Sequence, residues 1–286
     1  MRILVIGSNS FIGKHLVEEY TGKYELICIS RSMGMDLMNP KTYNQIGKSI
    51  DCIIHLAANT VIHKSDDSSA SFYKENIKLI VQAAKFAKEN QVKLFIYPNT
   101  YTYGNPQYLP IDEEHPISPL SLYHESKIES EEYLLDYFKG SLTNVFVGRL
   151  FNVYGYHQAN HFLIPRIIEQ IKASRKVVLN DLKPKRDFIY IKDLLNLFDQ
   201  VIHSSMDDSV VCNVASGNAN SVLDLLNIIK KQLNFQIEVE CLDQPRENEI
   251  YECTGNIDKV KSVFDWCPEY SLEEGIHDIL ARKGMI

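Results

Sequence analysis

Arg2-Ile-Leu-Val-Ile6, Gly7-Ser-Asn-Ser10-Phe-Ile-Gly13 and Lys14-His-Leu-Val-Glu-Glu-Tyr20 stand in one unbroken run near the head of the chain. The first piece is short, apolar and of β type, and the last has helical character. A strand, a glycine turn and a helix in that order form the context of a dinucleotide-binding fingerprint. Gly7 permits a tight turn, and Gly13 lets the helix pack closely on the sheet. The helix start, at Phe11 and Ile12, would present amide donors to a pyrophosphate. Ser10 stands where a third glycine is usual. It is accommodated when its side chain points away from the phosphates.

Outward from this run, Glu25-Leu-Ile-Cys-Ile29 predicts a second strand, followed by Ser30-Arg31-Ser32. A site for NAD would place a carboxylate here on the ribose 2′-hydroxyl. None is present, and Arg31 offers a planar cationic fork suited to a 2′-phosphate. The expected cofactor is therefore NADP(H), with Asp36 and Leu37 approaching the adenine. Asp51–Leu56, Lys93–Tyr97 and Asn144–Arg149 read as buried strands. Residues 71–89 read as a helix, with Phe72, Ile77, Ile80, Val81, Ala84 and Ala87 at helical spacing. Alternating strands and helices imply a parallel sheet covered on both faces, with ligands bound beyond the strand ends.

Of 16 tyrosines, only Tyr123 is followed four residues later by a lysine, Lys127. The segment reads as a helix, so the two share a face. A phenol beside an ammonium suits carbonyl–alcohol chemistry, because a neighbouring positive charge favours the phenolate. An ordinary exposed helix face is the competing reading, weakened by the nucleotide signature at the head of the chain.

These features, with Asp51-Cys-Ile-Ile-His-Leu-Ala-Ala58, Tyr101-Thr-Tyr-Gly104, Arg149-Leu-Phe-Asn-Val-Tyr-Gly155, Arg186-Asp-Phe-Ile-Tyr-Ile-Lys-Asp193, Asn213-Val-Ala-Ser-Gly217 and Trp266–Gly275, follow a familiar order over almost the whole chain. In them the chain resembles the extended short-chain dehydrogenases/reductases that act as NAD(P)-dependent nucleotide-sugar epimerases, dehydratases and reductases. The resemblance implies an α/β Rossmann-type doubly wound parallel sheet with a smaller C-terminal substrate lobe. The expected division is 1–155 with 187–213 for the NADP-binding domain, and 156–186 with 214–286 for the substrate lobe. It implies Tyr123 as general acid or base and Lys127 as holder of the nicotinamide ribose. Leu56, Ala57, Ala58 and Ser30 join the cofactor set. A nucleoside-diphosphate sugar would be held by Asn152, Arg186 and Arg246. The family's serine or threonine four residues before the tyrosine of its Val-Tyr-Gly block is here Asn99, with Thr100 beside it. Either could donate to the reacting oxygen. Two helices per subunit pairing as a four-helix bundle imply a homodimer.

The reading placed first is NADPH-dependent reduction of the 4-keto group of a nucleoside-diphosphate 4-keto-6-deoxy sugar, as in deoxysugar biosynthesis. The alternative is an NAD-dependent nucleotide-sugar 4-epimerase, and a third is a non-catalytic NADP-binding sensor. Thr100 and Tyr101 stand where dehydratases carry an Asp-Glu pair, which argues against dehydration.

Charge is 37 acidic against 30 basic residues, which disfavours nucleic acid or an anionic membrane as partner. Six cysteines (28, 52, 212, 241, 253 and 267) form no C-x-x-C pair or metal-ligand cluster, so buried thiols in a reducing compartment and no metal are expected. No signal-peptide pattern precedes the first strand and no apolar run would span a bilayer, so a cytoplasmic protein is expected. Later in the chain, 156–186 reads as irregular with one helix at Pro165–Ser174. Val222–Leu233 reads as a helix, and Ser271-Leu-Glu-Glu274 as the capping box of a last one.

Overall fold

The computed structural model describes residues 1–47, 49–60, 66–244 and 249–286. In chain order its elements are β1 (Arg2–Ile6), α1 (Phe11–Tyr20), β2 (Glu25–Ile29), α2 (Pro40–Tyr43), β3 (Cys52–His55), α3 (Asp66–Glu89), β4 (Leu94–Thr100), α4 (Leu122–Tyr137), β5 (Asn144–Leu150), β6 (Asn152–Tyr154), α5 (Leu163–Ser174), β7 (Lys176–Leu179), β8 (Lys185–Tyr190), α6 (Ile191–His203), β9 (Val210–Val214), β10 (Ala219–Ser221), α7 (Val222–Gln232), β11 (Glu238–Cys241), α8 (Asp258–Phe264) and α9 (Leu272–Arg282). They divide into two units. The first is Met1–Gly104, Pro116–Leu150 and Leu195–Cys212; the second is Asn105–His115, Phe151–Leu194 and Asn213–Ile286.

The first unit is built on a six-stranded sheet in the order β2-β1-β3-β4-β5-β9. The pairs β1–β2, β1–β3, β3–β4 and β4–β5 are all parallel, as expected for a Rossmann-type sheet. Parallel strands covered on both faces read as continuous apolar runs, and β3, wholly buried, is Cys52-Ile-Ile-His55. Its core gathers Leu4, Ile6, Ile53, Leu79, Ala83, Phe95 and Leu134 from strands and helices. Strand order reverses at β1, whose neighbours are β2 on one side and β3 on the other. Such a reversal opens a crevice beyond the carboxyl ends of the strands, where ligands bind in doubly wound sheets.

The second unit carries two small sheets, β10-β8-β6 and β11-β7. β8 pairs with β6 and β10, so of the stretch 187–213, which the sequence reading grouped with the first unit, the part through Leu194 lies in the second and Leu195–Cys212 in the first. The stretch 156–186 is more regular than expected. Besides α5 it contains β7 and the start of β8, strands too short to show a period in sequence. α9 does start in a capping box: Ser271 accepts from the Glu274 amide while Glu274 accepts from Ser271. Asp187 is a buried hub. Its carboxylate accepts from the Ser216 amide and hydroxyl, both at 2.7 Å, and from the Gly217 and Gly255 amides at 3.0 and 3.1 Å. Burial still holds its carboxyl above the usual range, because the four donors only partly offset the loss of water. Among the described residues, no helix is long and apolar enough to cross a membrane.

Candidate functional site

The turn between β1 and α1 is shaped by backbone. Gly7 sits at φ +90°, and a Cβ there would lie 2.7 Å from the Ala57 nitrogen and 2.9 Å from the Leu56 carbonyl carbon. The loop after β3 is thus pressed against the turn. A Cβ on Gly13 would lie 2.5 Å from the Gly7 oxygen and 2.6 Å from the Ser8 oxygen. Both positions exclude any side chain. Ser10 is the N-cap of α1, and its hydroxyl accepts from the Gly13 amide at 3.1 Å. The serine therefore turns its oxygen onto its own helix, and the first amides of α1, at Phe11 and Ile12, lack intrahelical acceptors as at any helix start. Leu56 and Ala57 lie along the same turn, and Leu56 N donates to Ile6 O at 2.7 Å. Ala58 follows in this half-buried loop. A tight turn, two excluded Cβ positions and a helix N-terminus fit the pyrophosphate of a nicotinamide dinucleotide.

Past β2 the groups are mostly neutral. Asn9 Nδ2 donates to Ser32 Oγ at 2.6 Å, and the buried Ser30 hydroxyl lies 3.1 Å from Ser32 Oγ. Arg31 lies with its Nη2 3.6 Å from Glu75 Oε2 on α3. Asp36 turns back on its own loop and accepts from Met38 N at 3.0 Å. Leu37 is 6% exposed and packs in the core with Tyr43 and Ile46 rather than standing open to a ring. Leu37 lies in the turn before α2, and its side chain is taken up by the core.

α4 carries the reactive pair. Ser121 caps it, accepting from His124 N at 3.3 Å. Lys127 is 5% exposed; its Nζ donates to Pro98 O at 2.9 Å and sits 3.9 Å from the centre of the Tyr97 ring. Burial pushes its ammonium down to about 7, against the opposing pull of Glu131. Burial pushes the Tyr123 phenol up to about 12. Both shifts follow from loss of water, which disfavours the charged form of each group. His55, at the end of β3, is 1% exposed, and burial and the Lys127 charge push it down to about 3. It stays neutral as a packed strand-end ring.

Asn99 does not stand free to meet a substrate oxygen. Its Nδ2 donates to Glu131 Oε2 at 2.5 Å, and its Oδ1 accepts from Thr100 N at 2.8 Å. Glu131 in turn receives Arg149 Nη2 at 2.6 Å, and Arg149 Nη1 donates to Tyr103 Oη at 3.0 Å. This buried chain ties β4, α4 and β5. Thr100, half-buried, follows Asn99 at the end of β4. Glu131 was missed, although it follows Lys127 by one helical turn. Asn76 was also missed. Its Oδ1 accepts from Asn59 N at 2.8 Å, and its Nδ2 donates to Asn59 O at 3.2 Å and Ser126 Oγ at 3.1 Å. Ser126 donates to Tyr123 O at 2.8 Å.

In the second unit, Asn152, Arg166, Asn180, Arg186, Phe188 and Glu249 line a cavity of about 260 Å³, with His161 at its wall. Arg186 pairs with Glu249 and donates to the Ile250 and Lys185 carbonyls. Its sequence neighbour Asp187 is committed to the hub. Asn152 Nδ2 donates to Asp187 O at 3.2 Å. Two guanidinium groups in one pocket suit a diphosphate. Arg246 lies outside the described residues.

A sequence model of the NAD dependent epimerase/dehydratase family matches residues 3–215. The UDP-glucose 4-epimerase of Rhizobium leguminosarum bv. trifolii is 30% identical over 243 residues, 78% of this chain and 74% of the relative. The fold is similar to that of RMD from Pseudomonas aeruginosa complexed with NADPH (TM-score 0.88, 24% identity, 98% of this chain and 97% of that one). It is equally similar to that of UDP-glucose 4-epimerase with UDP-glucose from Thermotoga maritima (TM-score 0.87, 23% identity, all of both chains).

Proposed function

The chain belongs to the NAD dependent epimerase/dehydratase family, and from that premise we propose that it is a nucleotide-sugar 4-epimerase. The sequence reading put one-way 4-keto reduction first and interconversion second. The likeness to the Rhizobium 4-epimerase, over 78% of this chain, favours interconversion.

Bound nicotinamide would accept a hydride from the sugar C4 and return it. Gly7, Gly13 and the first amides of α1 would hold the dinucleotide, with Leu56, Ala57 and Ala58 along one side. Lys127 would hold the nicotinamide ribose. Tyr123 would take the C4 hydroxyl proton as the carbonyl forms and give it back as the carbonyl is reduced. Inversion requires that the ketone present its other face before the return. Thr100 would donate to the developing oxyanion. Arg186 and Arg166, with Asn152, would take the nucleoside diphosphate in the second unit. The phenol's high pKa suits its return stroke as a proton donor, and the ammonium's gain of ribose oxygens would draw the pair toward the charged form needed for the first stroke.

The observation that carries the chemistry is the Tyr123–Lys127 pair, one turn apart on α4 in the same unit as the Gly7 turn. The test is incubation with UDP-glucose and with UDP-galactose, products being followed by NMR. We expect each to appear from the other without net consumption of nicotinamide, and Tyr123→Phe to slow turnover by about 10³-fold. Stoichiometric NADPH consumption with a 4-keto sugar, and no interconversion, would establish the second reading, reduction. That reading is favoured by Arg31 and by the lack of an acid in Ser30–Arg31–Ser32. The half-buried Tyr73, Ile77 and Val81 on α3, with Tyr73 bonded to Glu129 of α4, support a homodimer through these helices, which sedimentation would test.

A further inference from the structure

We infer that Glu75 on α3 sets the coenzyme preference, turning a site whose sequence suggests NADP toward NAD. The inference rests on the reading of the Gly7 turn as a dinucleotide site.

Arg31 is the one cation that the Ser30–Arg31–Ser32 segment offers to a 2′-phosphate. Its guanidinium lies 3.6 Å from the Glu75 carboxylate. The arginine side chain is 66% exposed and the glutamate 27%, so the glutamate is the better anchored of the two. Together they bring no net charge to this corner. A 2′-phosphate that drew Arg31 to itself would still face the carboxylate. To serve the phosphate, Arg31 would have to leave that partner and forfeit an exposed ion pair, a cost of at most about fivefold in a binding constant. The remaining groups here, Asn9, Ser30 and Ser32, are neutral and already bonded to one another at 2.6 and 3.1 Å. Neutral amides and hydroxyls complement a ribose diol, which both donates and accepts. A 2′-hydroxyl therefore meets matching partners, while a 2′-phosphate meets a cation whose charge is already answered. The sequence could not reveal this, because Glu75 lies on a helix 44 positions downstream of Arg31 (75 minus 31).

The test is equilibrium titration of protein freed of bound coenzyme, with NADH and NADPH, read by nicotinamide fluorescence. The native chain should bind NADH more tightly than NADPH. Glu75→Gln should tighten NADPH binding by up to about fivefold while leaving NADH within about twofold. Adding Arg31→Ala to Glu75→Gln should remove that gain, which assigns it to the freed guanidinium. Equal or tighter NADPH binding by the native chain, or an unchanged ratio in Glu75→Gln, would overturn the inference. A chain that shows the expected ratios yet does not interconvert UDP-sugars would sink the epimerase reading and leave the role of Glu75 intact.

Discussion

At the Gly7 turn, main chain lies against main chain; in the cavity around Arg186, long side chains lie against one another. The first region tolerates no substitution at Gly7 or Gly13, because the added carbon would fall 2.5–2.7 Å from backbone atoms that cannot step aside. The second is held by a guanidinium and a carboxylate on flexible stems, Arg186 and Glu249. A backbone-built region demands particular residue types and so announces itself in sequence. A region built from side chains can exchange partners, and its sequence says only that charges are present.

The largest effect should come from the rigid side of this contrast. Gly13→Ala should destabilise the first unit by about 2–3 kcal/mol, overpacking outweighing the roughly 1 kcal/mol that alanine gains in a helix. Urea denaturation would measure it, and an unchanged midpoint would mean the turn yields more readily than its contacts imply. An intermediate effect concerns Lys127, buried without the freedom of a surface lysine. Its folded pKa is about 7, below the roughly 10.4 of an unfolded lysine. Between those values the unfolded chain binds one more proton, so stability rises with pH; below about pH 7 the burial cost is fully present. Coenzyme-free native protein should therefore gain about 2 kcal/mol from pH 7 to pH 9 relative to Lys127→Met. Equal slopes for the two proteins would show that the amine is not desolvated. The smallest effect belongs to the adaptable side. Glu249→Gln should release Arg186 and tighten UDP binding by about threefold, the scale of one partly exposed ion pair. Calorimetry would read it, and weakened binding would reverse the assigned role of Glu249.

How much of this was legible follows the same division. β2 matches its expected bounds, Glu25–Ile29, because an apolar run flanked by turn residues leaves little choice. β7, four residues long, was hidden in a stretch read as irregular. Leu37 was placed beside a ligand and belongs to the core, since its burial depends on chain that arrives later. Asn99 was found by counting from Tyr103, yet its amide is held by Glu131, 32 residues away. The count identifies a position but cannot say which way its side chain turns. The pair at Tyr123 and Lys127 was found because helical periodicity alone puts the two on one face. Its charge state depends on burial, and spacing carries no information about water.

Asn76 gives the arrangement a further consequence. One amide side chain fastens the loop beyond β3, through Asn59, to the first turns of α4, through Ser126. The loop that flanks the dinucleotide turn and the helix that bears the phenol are thereby joined like two timbers by one dowel. A designer who reshapes the loop to admit a different coenzyme inherits an obligation to re-aim the proton donor.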